Sequence, residues 1–138
     1  MCEGMKVQYN FKIYKGEDLE IPINFSTVEN GINVPLDITS AQIKMTVRDY
    51  VTNNVVDELS TENGRIVKGQ IVDGGFVLSP GHESAILIDF GHEITESITY
   101  KQAVYDIFRV DPDAEREVLL VGRITVERGV TYAMQSNA

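Results

Sequence analysis

Leu19-Glu20-Ile21-Pro22-Ile23-Asn24-Phe25 sets apolar side chains at its odd positions and mostly polar ones at its even positions. Ile43-Lys44-Met45-Thr46-Val47-Arg48 repeats the pattern with longer polar side chains. Successive side chains of a strand point to opposite faces, so a period of two describes a sheet with one dry and one wet face. Further on, Val118-Leu119-Leu120-Val121-Gly122-Arg123-Ile124-Thr125-Val126 puts Val118, Leu120, Ile124 and Val126 on one face. Its other face carries Leu119 and Val121, then Arg123 and Thr125. Two apolar side chains on a face otherwise set by Arg123 and Thr125 mark Leu119, Val121 and Arg123 as a candidate interface. Cover by another strand or by a helical segment of the same chain is the alternative reading.

Turn chemistry separates the periodic runs at short intervals. Lys15-Gly16-Glu17-Asp18 joins an aromatic-rich first strand, Val7 to Tyr14, to the second. Asn30-Gly31, Asn63-Gly64 and Asp73-Gly74-Gly75 supply residues that accept positive φ. Asp111-Pro112-Asp113-Ala114 joins two long late strands, residues 101–110 and 115–127. Pro22 has no N–H for a ladder, which places its strand at a sheet edge or at a bulge. Ser79-Pro80-Gly81-His82-Glu83-Ser84-Ala85-Ile86-Leu87-Ile88 breaks the alternation. A capping residue, an early proline, acid near the start and the run Ala85-Ile86-Leu87 predict one short helical segment near residues 80–88. Asp89 to Thr99, with Gly91 and many polar side chains, reads as a loop or an edge strand. About seven to nine short strands between frequent turn signals give an all-β, antiparallel β-sandwich, with a closed barrel as the competitor that periodicity does not separate.

The chain has 138 residues, enough for a single domain spanning 1–138. The pattern predicts an ordered core over about 7–132 with short terminal tails. A hydrophobic share of 43% places the chain with globular proteins rather than disordered ones. Its net charge of -9 repels phosphate, and its basic residues form no stripe, so no nucleic-acid partner is expected. A solvated acidic surface or pairing with a basic neighbouring subunit both fit that charge. The single cysteine, Cys2, excludes an intramolecular disulfide and suits a reducing cytoplasm. No apolar run is long enough to span a bilayer, so no membrane partner is expected.

A search for chemistry finds no convergent set. His82-Glu83 and His92-Glu93 hold the only histidines, too far apart to share a helix face as a metalloprotease pair would. Asp111, Asp113, Glu115 and Glu117 alternate through a hairpin but lack the glycine of a calcium loop, which favours a solvated turn. Ser79 and Ser84 lack the glycine-flanked elbow of hydrolases, and no glycine-rich phosphate cradle is present. The expectation is therefore a protein that is not an enzyme, with no catalytic residues, no metal, no cofactor and no small-molecule substrate.

The order of the pieces carries more than any one of them. Gly16-Glu17-Asp18 leads into Ile21-Pro22-Ile23-Asn24-Phe25, followed by Val34-Pro35-Leu36-Asp37-Ile38-Thr39 and Ile43-Lys44-Met45-Thr46-Val47-Arg48. Leu59-Ser60-Thr61-Glu62-Asn63-Gly64-Arg65-Ile66 and Gly75-Phe76-Val77-Leu78-Ser79 come next, then Val104-Tyr105-Asp106-Ile107 and Leu120-Val121-Gly122-Arg123-Ile124-Thr125-Val126. From about residue 7 to 127 this order resembles the immunoglobulin-like domain of phage virion proteins, including the N-terminal domain of baseplate upper proteins. In that family a short helical segment sits between the Leu-Ser strand end and the Tyr-Asp strand, where residues 80–88 fall here. The stretch between that segment and Tyr105 is longer than the family's, and the quoted order ends after one domain, whereas baseplate upper proteins continue into domains that hold receptor-binding proteins.

The residues also give local reasons for a fold. Leu36 and Ile38 serve as apolar plugs at the entry to a strand, and Asp37 and Thr39 can bond nearby backbone N–H groups. Tyr105 fits a core ring with its hydroxyl bonded at an edge. The resemblance implies a structural assembly protein of a bacteriophage virion, in the tail or baseplate, made in the cytoplasm of a bacterial host. Its partners would be other virion structural proteins and copies of itself. A head decoration protein on the capsid and a carbohydrate-binding adhesin module are the alternatives.

Overall fold

The computed structural model describes residues 7–113 and 115–128, with the backbone alone at Val7 and Arg128. Among them lie β1 (Val7–Gln8), β2 (Phe11–Lys15), β3 (Leu19–Asn24), β4 (Ser26–Glu29), β5 (Ile32–Pro35) and β6 (Gln42–Asp49). After these come β7 (Val55–Ser60), β8 (Ile66–Val72), β9 (Gly75–Val77), β10 (Ala85–Phe90), α1 (His92–Glu96), β11 (Gln102–Val110) and β12 (Arg116–Arg128). The larger sheet runs β7-β6-β11-β12, and β1 and β2 follow one another along the free side of β12, both parallel to it. The smaller sheet runs β3-β10-β8-β9, and β4 and β5 form a hairpin of their own. With β3, β10 and β8 in one layer and β6, β11 and β12 in the other, this is the strand order of an immunoglobulin-type sandwich, β7 taking the place of the extra strand beside β6.

The alternation seen in the sequence is what closes the two layers. Ile43, Met45 and Val47 of β6 face Ile86, Ile88 and Phe90 of β10 across a core in which each is at most 1% exposed. Tyr105, Ile107, Ile124 and Leu59 extend that core through the larger sheet. The hairpin turns are those the residues dictate. Asn30 and Gly31 both take positive φ (53° and 77°) between β4 and β5, and Asp73 and Gly74 do the same (52° and 81°) between β8 and β9. Two successive left-handed residues match the twist of the strands they join. Pro22 lies on β3, an edge strand, as its missing donor requires.

Three expectations need correction. The helical segment near residues 80–88 is absent: residues 79–84 form a turn with Gly81 at φ 85°, and Ala85–Phe90 is strand β10. The run Ala85-Ile86-Leu87-Ile88 lacks alternation because the outward side of β10 is apolar as well, with Ala85 buried and Leu87 half-buried, and periodicity does not distinguish so short an apolar run from a buried helix. The one helical turn among the described residues is α1, inside the stretch expected to be a loop or an edge strand. It forms because Asp18 Oδ1 accepts the His92 N–H at 2.6 Å, while Thr95 Oγ1 accepts the Gly16 N–H and donates to the Glu17 carbonyl. The strands number twelve among the described residues rather than seven to nine, because β1, β4, β5 and β9 are too short to show a period. The first strand is likewise split at Tyr9-Asn10. Ala114, the expected core end near residue 132 and both tails fall outside the described residues.

One brace across the layers has no counterpart in the sequence reading. Lys68 of β8 points its ammonium into the loop after β5 and donates to the carbonyls of Ile38, Thr39 and Ala41 at 3.3, 2.8 and 2.8 Å. Ile38 is fully buried beside it and Leu36 packs on the core. Asp37 accepts the Thr39 N–H, and Thr39 Oγ1 accepts the Glu83 N–H. Hydrogen bonds from the Thr39 hydroxyl and the Thr39 N–H hold the Asp37 carboxyl below its ordinary pKa.

Candidate functional site

Because Tyr105 and Ile107 face the core, Val104 and Asp106 of β11 face away from it. Register then aligns Arg48, Val104 and Arg123 in one row across β6, β11 and β12, and Thr46, Asp106 and Val121 in the next. Gln8 and Asn10 close the row on the β12 side. The result is an open depression of about 690 Å³ on the outer face of the larger sheet, with Val104 and Val121 on its floor and Arg48 and Arg123 on its walls.

Each wall is fixed by a specific contact. The Asn10 side-chain oxygen accepts the Arg123 N–H at 2.9 Å, standing in for a ladder carbonyl where the N-terminal strand is split. The Arg123 guanidinium lies 4.6 Å from the centroid of the Tyr50 ring, and Arg48 donates to the Asn53 carbonyl at 3.3 Å. Asp106 sits diagonally between the two arginines, yet its Oδ1 is shielded from water and has no hydrogen-bond partner among the described residues. Beneath the floor, Tyr105 crosses the strand pair opposite Gly122, and its hydroxyl donates to the Tyr9 carbonyl. A Cβ on Gly122 would lie 1.8 Å from that carbonyl oxygen and 2.8 Å from the Tyr105 ring, so the position admits only glycine. Burial pushes the Tyr105 phenol well above its usual pKa, and it remains a neutral donor.

The three sequence-predicted contact residues are not kept together. Val121 and Arg123 both line the depression. Leu119 does not: the ladder between β11 and β12 shifts register between Ile107 and Phe108, and Leu119 is the extra residue. A bulge reverses the alternation, so Leu119 packs against the core while Val118 turns out beside Phe108. Arg48 and Asp106, which the sequence reading left aside, take its place at the site; no pattern within one strand links them.

The remaining candidates lie apart. His82 lines a cleft with Asp37 and Gln70, His92 lines another with Asp18 and Glu20, and no residue is shared between the two. Glu117 pairs with Arg109 at 2.8 Å, and the Asp113 carboxylate accepts the Glu115 N–H within the hairpin turn. No group of three or more histidine, cysteine or acidic side chains among the described residues is placed to hold a metal ion. No helix among the described residues is long and apolar enough to cross a membrane.

Free strand edges are partly closed by the chain itself. On β7 the Asn63 side chain takes the Ser60 N–H and the Glu58 carbonyl, and Asp57 takes the Glu58 N–H. Side chains that occupy edge groups in this way keep other strands from pairing there. The fold and its open face thus define an all-β sandwich whose accessible chemistry is a shallow surface of arginine, amide and valine side chains. No protein-family model matches the chain, and no curated protein is similar to it.

Proposed function

We propose that the chain is a non-catalytic structural module of a bacteriophage virion, in the tail or baseplate, that works through protein–protein contacts made by the outer face of its larger sheet. The depression walled by Arg48 and Arg123, with the unpartnered Asp106 oxygen between them, carries this reading. It is wide and shallow, stands on three adjacent strands of a rigid layer, and mixes apolar floor with donors and one acceptor. That composition suits a protein surface rather than a small substrate, which needs a concave pocket enclosing most of it. The virion assignment draws its support from the motif order shared with phage immunoglobulin-like domains.

Imaging the particle that contains the chain, with its density traced, tests the assignment. Density at the tail or baseplate is expected. Density on the capsid shell moves the function to head decoration, and absence of the chain from particles overturns the reading. Binding of the purified protein to a glycan array would favour the carbohydrate-binding alternative. The His82→Ala/His92→Ala double variant should fold and assemble as the parent does; loss of an assayable turnover in it would make the protein an enzyme.

A further inference from the structure

The smaller sheet presents an outer face of another kind. Register sets Pro22, Leu87 and Val67 side by side across β3, β10 and β8, and Ile71 beside Phe76 across β8 and β9. Ile86, Ile88 and Phe90 fill the core, so alternation turns Leu87 outward, and its row partners with it. The Phe76 ring lies against Gly69, where a Cβ would come within 2.6 Å of it. The row ends in acid: Glu20 stands opposite Asp89, and both share a cleft with Asp18 and Glu93. No lysine or arginine occupies an outward position of these four strands among the described residues. A strand that is apolar on both sides is the mark of a sheet covered on both sides, and among the described residues the outward Leu87 and Val67 are only half-buried and Pro22 is exposed.

We propose that this face of one copy stacks on the outer face of the larger sheet of the next copy, head to tail. The larger sheet gathers Lys44, Arg48, Arg116 and Arg123 on its outer side, and although Lys44 already faces Glu62, the three arginines make no ion pair there among the described residues. Its valines 104, 118 and 121 and Phe108 supply the apolar area that Leu87, Val67 and Phe76 require. A two-fold contact between two smaller sheets with its axis along the strands would oppose Glu20 and Asp89 to their own copies; the head-to-tail contact opposes them to arginines. Contacts between unlike faces do not close at two copies but continue into rings or columns. The inference rests on the larger sheet's outer face being a contact surface, and not on where in a particle the chain lies.

Sedimentation of the purified full chain over a range of concentrations tests it. The average mass should rise with concentration to multiples of one chain. Arg48→Glu/Arg123→Glu and Glu20→Arg/Asp89→Arg, all at exposed charges and checked for fold by circular dichroism, should each weaken association by about tenfold or more. Mixed one to one, the two variants should regain the parent's association, because every contact in the mixture again joins opposite charges. A parent chain that stays single at every concentration overturns the proposal and leaves a different protein with a basic, apolar surface as the occupant. So does a mixture that stays single, and so does a variant that associates as the parent does. None of these outcomes bears on the particle's image, so the two readings fail separately.

Discussion

The two outer faces of this sandwich come from the same alternation and end up with opposite chemistry. On the larger sheet two outward rows set Thr46, Arg48, Asp106 and Arg123 around Val104 and Val121; on the smaller the row holds only Pro22, Leu87 and Val67. Both sheets bury their inner faces equally well, so the core does not explain the difference. A polar outer face is what water permits; an apolar one adds nothing to the stability of a lone chain and gains only when something covers it. The contrast therefore separates what holds this protein together from what it has available for a neighbour.

The sharpest test of that contrast compares neighbours on β10. Ile86→Ala should cost about 4 kcal/mol in urea unfolding of the single chain, the usual price of emptying a closed core position. Leu87→Ala should cost about 1 kcal/mol, since part of that side chain stays in water. Equal losses would mean that both sides of β10 are covered within one chain, and the face distinction would fall.

Gly122→Ala examines the floor of the larger sheet's face. The added methyl would meet the Tyr9 carbonyl and the Tyr105 ring, and the expected loss is about 3 kcal/mol. An unaffected melting temperature would show that the N-terminal strand does not lie over this position.

Two tyrosines then separate a bonded hydroxyl from an unbonded one. Tyr105→Phe removes the donor to the Tyr9 carbonyl and should cost about 1.5 kcal/mol. Tyr100, whose pKa burial chiefly pushes up to about 12, has no hydroxyl partner among the described residues. Tyr100→Phe should change stability by less than about 0.5 kcal/mol in the same unfolding assay.

The smallest effect belongs to the acidic end of the smaller sheet. The Asp18 carboxyl is held below its usual pKa chiefly by the His92 N–H, and the His92 imidazole is held above its own by its bond to Asp18. A lowered acid stabilises above its unfolded value and loses that contribution as pH falls through the folded one. A raised imidazole stabilises below its unfolded value and loses it as pH rises through the folded one. The pair is thus at full strength between pH 3.8 and 6.5, the two ordinary values. Melting temperatures of the parent and of Asp18→Asn should differ most in that window, less at alkaline pH where only the bond from the His92 N–H remains, and least in acid below the folded Asp18 value. A difference independent of pH would remove the ion pair from the account. Both groups are well exposed, so the shift should be the slightest of the set.

Much of the fold was legible because short-range chemistry carried it. Pro22 marked an edge, Asn30-Gly31 a tight reversal, Asp37 and Thr39 a bonded loop, and Tyr105 a core ring with a tethered hydroxyl, each through a property of one residue and its near neighbours. The failures share the opposite cause. Ala85-Ile86-Leu87-Ile88 reads as a helix because apolar side chains fill both faces of that strand and leave no alternation to show. Leu119 was placed with Val121 because a bulge, which depends on the partner strand, reverses the count by one. Lys68 offered no signal at all, since its three acceptors are backbone carbonyls.

By itself the sequence determined that this chain would form strands, where most of them turn, and which side chains of a strand share a face. It left open which strands stand side by side and, where both faces are apolar or a bulge intervenes, which face looks inward. Those were decided when two layers closed over Ile43, Met45, Ile86 and Ile88, because only closure assigns one side of each strand to the core. The same step brought Arg48, Asp106 and Arg123 into adjacent rows, for residues so far apart along the chain meet only through the pairing of the strands that carry them.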